Sequence, residues 1–424
     1  MSRHSPQLPT EIKSLIFELA VAEYPDAIPT LRSICLTCRS WYQLAIRLPK
    51  LWRFFAIQYP LSLDRLSLWL ARSRPKPIYV HHIVLPMAEV IQLTTPLKSD
   101  AQALARTVIS EFHRWGEVHL DVMKGDPAWI GLFADRTAHA LETLVWKWSG
   151  IVIQFPQTSS FPNLRTLVLE RAACHWASVI LTNSASLRSF TLARVEPLNS
   201  LDIVSLWNGL GSSFDLEELQ FDELSWSAPE SEDYTDTIHL PKLRTISLTA
   251  VAHSDRLFRP FTLPVLTDII VGDVAEDLSP MFRQLVEQTS TIESITTGLW
   301  DEPYASSSSS EQGLIALIRT QPQIRHLSLT EATVTDTLLL SITPSTHDDS
   351  PSAPGLETLE LSGEGFHPYT LINMARARHD HLQTKTIEHL RLPPGLLSIS
   401  ETATLKQFVG EVEIGAGDWE LEDT

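Results

Sequence analysis

Apolar residues near the start of the chain recur with the period of a helix. Ile12, Leu15, Ile16, Leu19 and Ala20 follow Leu8-Pro9 at i, i+3, i+4, i+7 and i+8, which is one face of an α-helix. Pro9 suits a helix start, where its missing N–H has no partner to lose. Leu31, Ile34, Cys35, Cys38, Trp41, Tyr42 and Ala45 keep the same period after a break at Pro25 and Pro29, and a third short helix is predicted near Pro49, carrying Leu51, Trp52 and Phe55. Three short helices in about fifty residues cover too little of their apolar surface against one another. Some of Leu8, Ile12, Leu36, Trp41, Leu51 and Trp52 should therefore stay available to another chain.

Residues 61–73 read as a further amphipathic helix, with Leu63, Leu66, Leu70 and Trp69 on its inner side, leading into a strand-like run at Ile78, Tyr79 and Val80. Beyond it a hexamer with apolar residues at positions one, four and six keeps returning. Copies start at Leu141, Leu164, Leu187, Leu216, Leu243, Leu266, Ile292, Ile324, Leu356 and Ile387, spaced 23 to 32 residues apart, with a looser copy at Trp115. In nine of these ten the second residue is Arg or Glu, Thr267 being the exception; chance aliphatic runs would not share that residue.

The pattern resembles a leucine-rich repeat. Positions one, four and six turn inward from a short strand, and the chain then returns over the other side before the next strand. Helical returns are predicted at 177–184, 279–289, 311–320 and 369–382. The family's asparagine near position nine is missing, since Ala172, Val195, Leu224, Val251 and Val274 stand there. The array should stack through apolar contacts in place of an asparagine ladder. Ser-, Pro- and acid-rich stretches at 227–237, 305–312 and 343–355 read as mobile loop insertions. Ser231, before Glu232 and Asp233, is a conceivable phosphorylation site, and Val412, Ile414 and Trp419 are placed to cap the last repeat.

The opening segment resembles the F-box. Leu8-Pro9, Glu11-Ile12, Ile16-Phe17, the run Leu36, Cys38, Arg39 and Trp41, and the later Leu51-Trp52 follow the family's order. The segment from Tyr24 to Thr30, with two prolines, is longer than the usual family turn. The resemblance implies docking on a Skp-type adaptor, and through it on cullin and RING subunits, by Leu8, Pro9, Ile12, Leu15, Ile16, Leu36, Cys38, Trp41, Leu51 and Trp52. The expected fold class is α/β: an N-terminal three-helix F-box over 1–60, a linker helix at 61–77, and an irregular leucine-rich-repeat solenoid with a curved parallel sheet over 78–424.

Composition narrows the function. With 51 acidic against 33 basic side chains the chain carries −18, which disfavours nucleic acid and anionic membrane as partners. Cys35, Cys38 and Cys174 make no disulfide framework, and the C-x-x-C of the first two falls on an apolar stripe, where core packing is expected over a metal site. No signal-type h-region or membrane-length apolar run is seen, so a cytoplasmic or nuclear location is expected. No Walker, dinucleotide, H-E-x-x-H or G-x-S-x-G motif occurs, and His81-His82 and His379-x-His381 lack carboxylates at metal spacing. The expectation is no catalytic residue, metal or cofactor.

Binding is the better reading. The concave face of the array would be lined by residues beside the inward aliphatics: Glu170, Thr191, Glu218, Gln220, Asp222, Thr245, Ser247, His326, Ser328, Glu360, His389 and Arg391. An F-box followed by leucine-rich repeats implies a substrate-recognition subunit of an SCF-type ubiquitin ligase, with an unidentified protein substrate. The alternative is a repeat scaffold, adaptor-bound or free, outside ubiquitination.

Overall fold

A computed structural model describes residues 8–22, 27–58, 62–84, 103–104, 106–123, 134–149, 158–172, 174–195, 200–224, 237–251, 259–274, 277–299, 307–330, 334–344, 351–362 and 365–415. The chain forms two compact units, one of Met1–Val195 with Leu201–Ser213, the other of Glu196–Ser200 with Phe214–Thr424.

The first unit opens with helices α1 (Thr10–Ala22), α2 (Ala27–Thr37) and α3 (Arg39–Ala45), then a 3-10 turn over Pro49–Trp52. Two sequence expectations change here. Pro29 does not break a helix but sits in the first turn of α2, where its missing N–H costs nothing. The stripe from Leu31 to Ala45 is split at Cys38, whose extended backbone caps α3.

Strand β1 (Phe54–Gln58) follows at once and pairs in parallel with β2 (Ile78–Val84), across helix α4 (Leu63–Ser73). The helix assigned to a linker is thus the return of the first β-α-β unit, with Leu66 and Leu70 buried and Leu63 exposed. Strands β3 (Trp115–Met123), β4 (Thr143–Ser149), β5 (Thr166–Glu170) and β6 (Ser189–Ala193) extend the sheet in chain order, all parallel. Helices α5 (Cys174–Thr182) and α6 (Ser200–Gly211) also belong to this unit; α6 was not foreseen. They pack closely: a Cβ on Gly209 would stand 2.8 Å from the Ser178 Cα, so only glycine fits there.

In the second unit the parallel order is β7 (Glu218–Asp222), β9 (Thr245–Thr249), β11 (Asp268–Val274), β12 (Ser294–Leu299), β13 (His326–Thr330), β14 (Thr358–Leu361), β15 (His389–Leu392) and β16 (Glu411–Ile414). A separate pair, β8 (Ile238–His239) with β10 (Phe261–Thr262), fills the return side of two repeats that lack a described helix. The remaining returns are α7 (Ser279–Gln288), α8 (Ser307–Thr320), α9 (Asp336–Ser341), α10 (Pro368–Asp380) and α11 (Ile399–Leu405). Helix α8 starts at Ser307, so most of the serine-rich stretch expected as a loop at 305–312 is helical. Residues 227–236 and 345–350 of the other insertions, and Trp419, lie outside the described residues.

The repeat reading holds position by position. Every first, fourth and sixth residue from Leu141 to Leu392 is buried, and so are Trp115, Val118 and Leu120 of the looser copy. The fourth positions stand in register, with Leu219 opposite Ile246, then Ile269, Ile295, Leu327, Leu359, Leu390 and Val412. Ala172, Val195, Leu224 and Val251 at position nine are buried as well, which is the apolar stacking expected without asparagine.

Backbone hydrogen bonds explain the spacing inside each copy. The carbonyl of position two accepts from the N–H groups of positions two and three of the next copy, as when Arg165 accepts from Arg188 and Ser189, and Glu293 from Arg325 and His326. At position eight, Arg171, Arg194, Glu223, Ala250 and Asp273 all have φ between 48° and 57°. This left-handed step ends the strand and turns position nine back into the core. Arg171, Glu223 and Ala250 each donate their N–H to the position-seven carbonyl of the neighbouring copy, and these bonds hold the step in place.

Candidate functional site

Helices α1 to α3 and the Pro49–Trp52 turn of the first unit enclose a small core of Phe17, Val21, Leu31, Ile34, Ala45, Leu51 and Trp52. Phe17 meets Trp41 with ring centroids 4.9 Å apart, and the Trp52 indole N–H donates to the Ala45 carbonyl at 2.9 Å. Lys50 and Glu18 pair across the surface at 2.9 Å. The side of α1 that faces this core is thus Phe17 and Val21, not the stripe with the clearest helical period.

That stripe faces outward. Leu8 is 52% exposed, Ile12 43%, Leu15 54%, Ile16 46% and Leu19 58%, while Leu36 at the end of α2 reaches 72%. Six large aliphatic residues left 43% to 72% exposed, on a domain with so small a core, form a surface that loses free energy on burial. Pro9 is exposed beside them and its carbonyl accepts the first helical bond of α1, from the Lys13 N–H.

Of the residues named from sequence for an adaptor, Leu8, Pro9, Ile12, Leu15, Ile16, Leu36 and Cys38 are exposed and Trp41 is half-buried. Leu51 and Trp52 are corrected to the core, at 0% and 4% exposure; they shape the domain from inside. Core packing is also wrong for Cys38, whose thiol lies 3.1 Å from the Ser40 hydroxyl at the surface. The Ser40 contact, then the Trp41 backbone amide, draws the Cys38 thiol below its ordinary pKa. Cys35 is half-buried, and burial pushes its thiol up, with Arg72 acting against it.

The strand residues named for a substrate all sit on the face opposite the helices, half-buried or exposed, because successive side chains alternate across a sheet. In the first unit Glu170 on β5 binds Lys147 at 2.9 Å and Arg194 at 3.1 Å. Burial would raise the Glu170 carboxyl, but hydrogen bonds and charge from Lys147 and then Arg194 hold it below the usual range. Thr191 lies on β6 beside it. In the second unit Glu218, Gln220 and Asp222 line β7, and Thr245 and Ser247 line β9.

Further along the same unit the side chains form a linked polar run. Ser328 donates to Glu360 at 2.7 Å, Arg391 lies 3.9 Å from Glu360 and 3.5 Å from Glu413, and His389 lies 3.3 Å from Glu411. His326 is exposed at the head of β13. The Glu411 and Glu413 contributions were not foreseen, although Val409, Val412 and Ile414 stand at the first, fourth and sixth positions of a further copy.

Among the described residues no group of three or more His, Cys, Asp or Glu is placed to hold a metal ion. No described helix is long and apolar enough to cross a membrane.

Residues 5–58 match the F-box-like family. No curated protein matches the chain. Among solved structures, a protein from Bacteroides fragilis is similar at 12% identity over 84% of this chain and 78% of its own, with a TM-score of 0.34. An F-box-like domain implies binding to a Skp-type adaptor, and proteins that join it to leucine-rich repeats are non-catalytic adaptors. The chain therefore carries an F-box-like domain at residues 5–58, followed by a long parallel-sheet α/β repeat region consistent with leucine-rich repeats.

Proposed function

We propose that this protein is a substrate-recognition subunit of an SCF-type cullin-RING ubiquitin ligase. The outward stripe of α1, with Leu36, docks on the Skp-type adaptor, which connects to cullin and RING subunits. The outward strand faces of the repeats take a protein substrate, and the chain itself catalyses nothing.

The observation that carries this reading is the exposed apolar stripe lying inside the segment that matches the F-box-like family. A monomeric domain gains nothing from Leu15, Ile16 and Leu19 in water, whereas a partner helix or groove covering them gains roughly 1 kcal/mol for each half-exposed side chain. Leu51 and Trp52 would support this surface by fixing α3 and the Pro49–Trp52 turn beneath it.

The test is a pull-down with recombinant Skp-type adaptor. Replacing Leu15, Ile16 and Leu19 together by Ser should weaken binding by about a hundredfold, with an unchanged circular dichroism spectrum because all three are exposed. Binding that survives the triple substitution would overturn the assignment of the surface. Recovery of cullin with the adaptor separates a ligase subunit from an adaptor-bound scaffold.

A further inference from the structure

Away from the α1 stripe, the described residues of the first unit form a concavity that combines aromatic walls with guanidinium groups. It lies between α2, the Pro49–Trp52 turn and α4, and has a volume of about 300 Å³. Leu31 and Leu66 line it together with Trp52 and Trp69, whose rings meet edge to face at 6.1 Å. That volume is at the small end of ligand sites, enough for a bicyclic ring system.

Its charge is opposite to that of the chain. Arg32, Arg65 and Arg72 line the cavity and, among the described residues, no acidic one does, although acids outnumber bases 51 to 33 in the sequence. The Arg72 guanidinium lies over the Trp52 ring at 4.3 Å, so it is held against the aromatic wall by the ring's quadrupole. Arg32 and Arg65 are exposed, and among the described residues no ion pair joins either to a carboxylate. Guanidinium groups present flat forks that match carboxylates, and a flat apolar wall beside them selects acids with a flat apolar body.

We propose that this cavity binds a small organic acid, a carboxylate carried on a flat apolar body. The ligand would touch α2 and Trp52 on one side and α4 on the other, tying the F-box-like helices to the first repeat return. Arg65, Leu66, Trp69 and Arg72 lie beyond residue 58, outside the segment that matches the F-box-like family, so the site belongs to this chain's junction. It does not depend on adaptor binding.

Cys35 lines the cavity, whereas Cys38 is exposed elsewhere, which supplies a local readout with an internal control. The full-length protein is alkylated with iodoacetamide, with and without 2-naphthoate, and both cysteines are followed by mass spectrometry. At ten times the dissociation constant, 2-naphthoate should slow alkylation of Cys35 about tenfold and leave Cys38 unchanged. Neutral 2-naphthamide at the same concentration should protect much less. The exposed pair Arg32→Gln/Arg65→Gln should lose protection by the acid while keeping the wild-type circular dichroism spectrum. Equal protection by acid and amide, protection that survives loss of both arginines, or no protection at several millimolar 2-naphthoate would each overturn the proposal.

Discussion

Ala250 has φ of 50°, a conformation that costs an L-residue roughly 1 kcal/mol or more and glycine almost nothing. Five consecutive copies repeat this cost at position eight because the step returns an apolar residue to the core. Ala250→Gly should therefore raise stability by about 1 kcal/mol, read as a higher urea midpoint, and Val251→Asn beside it should lower stability by about 2 kcal/mol by burying an amide. Arg378 makes the opposite kind of contribution. Its fully buried guanidinium donates to the Ile342, Ala353 and Pro354 carbonyls at 3.1, 2.9 and 3.4 Å, which fastens both ends of the segment around residues 345–350. Burial brings its pKa down to about 10, so it stays charged at neutral pH. Arg378→Met should cost about 3 kcal/mol, because three buried carbonyls lose their donor, and Arg378→Lys should recover little, since an ammonium group has no fork. None of this was legible in the sequence: position eight holds Arg, Glu, Ala or Asp without pattern, and Arg378 reads as an ordinary charge near a helix end.

At the scale of elements, periodicity found the repeat strands from β3 to β15 other than β8 and β10, and most of the helices, yet it put Phe55 of β1 on a helix and left open which residues of α1 pack inward. Both sides of that helix carry large apolar residues, and the choice between Phe17 and Leu15 was made by Trp41, which a one-dimensional pattern cannot place. The hexamer likewise misses its own beginning. Three residues before the first aliphatic, Ala138, Phe161, Ser184, Ser213, Leu240, Leu263, Gln321 and Ala353 are all buried, opening a turn whose polar members donate either to the preceding helical turn, as Ser184 does to Ile180, or to the preceding copy, as Gln321 does to Thr289. Mixed chemistry hides this position from a hydrophobic scan. The junction of α4, β2 and β3 is held by another arrangement the sequence concealed. Glu111 binds Arg114 at 2.9 Å and Arg74 at 2.5 Å, while Arg114 also donates to Ser73 and to the Lys76 carbonyl. Burial would raise the Glu111 carboxyl, but the two arginines more than offset it and hold it below the usual range. A depressed folded-state pKa means stability that is present above the unfolded value, about 4.3, and is lost as pH falls through the folded value. Glu111→Gln should cost about 2–3 kcal/mol at pH 7. Thermal denaturation from pH 7 to pH 3 should show its deficit shrinking, because only the wild-type protein loses the interaction.

For the molecule as a whole, the proposed reading requires two activities that fail separately. Glu360→Lys combined with Arg391→Glu changes charge on the outward face of β14 and β15 without touching the F-box-like helices. The double variant should retain adaptor binding and lose at least one protein captured by the wild type when the proteasome is inhibited, measured by affinity capture and mass spectrometry. The net charge of −18 gives no ligand by itself, since it sets encounter and solubility more than recognition. What the sequence determined alone was the order of parts: a short helical segment too small to cover its own apolar residues, then strands whose first, fourth and sixth positions had to be buried by stacking. Those follow from side-chain periodicity, a local property. What only the tertiary structure decided was which residues share a surface: the outward stripe of α1 with Leu36, the three arginines brought around Trp52 and Trp69, and the run from Ser328 to Glu413. Each joins positions separated by tens of residues, and sequence period fixes the face of an element but not the neighbour that comes to lie against it.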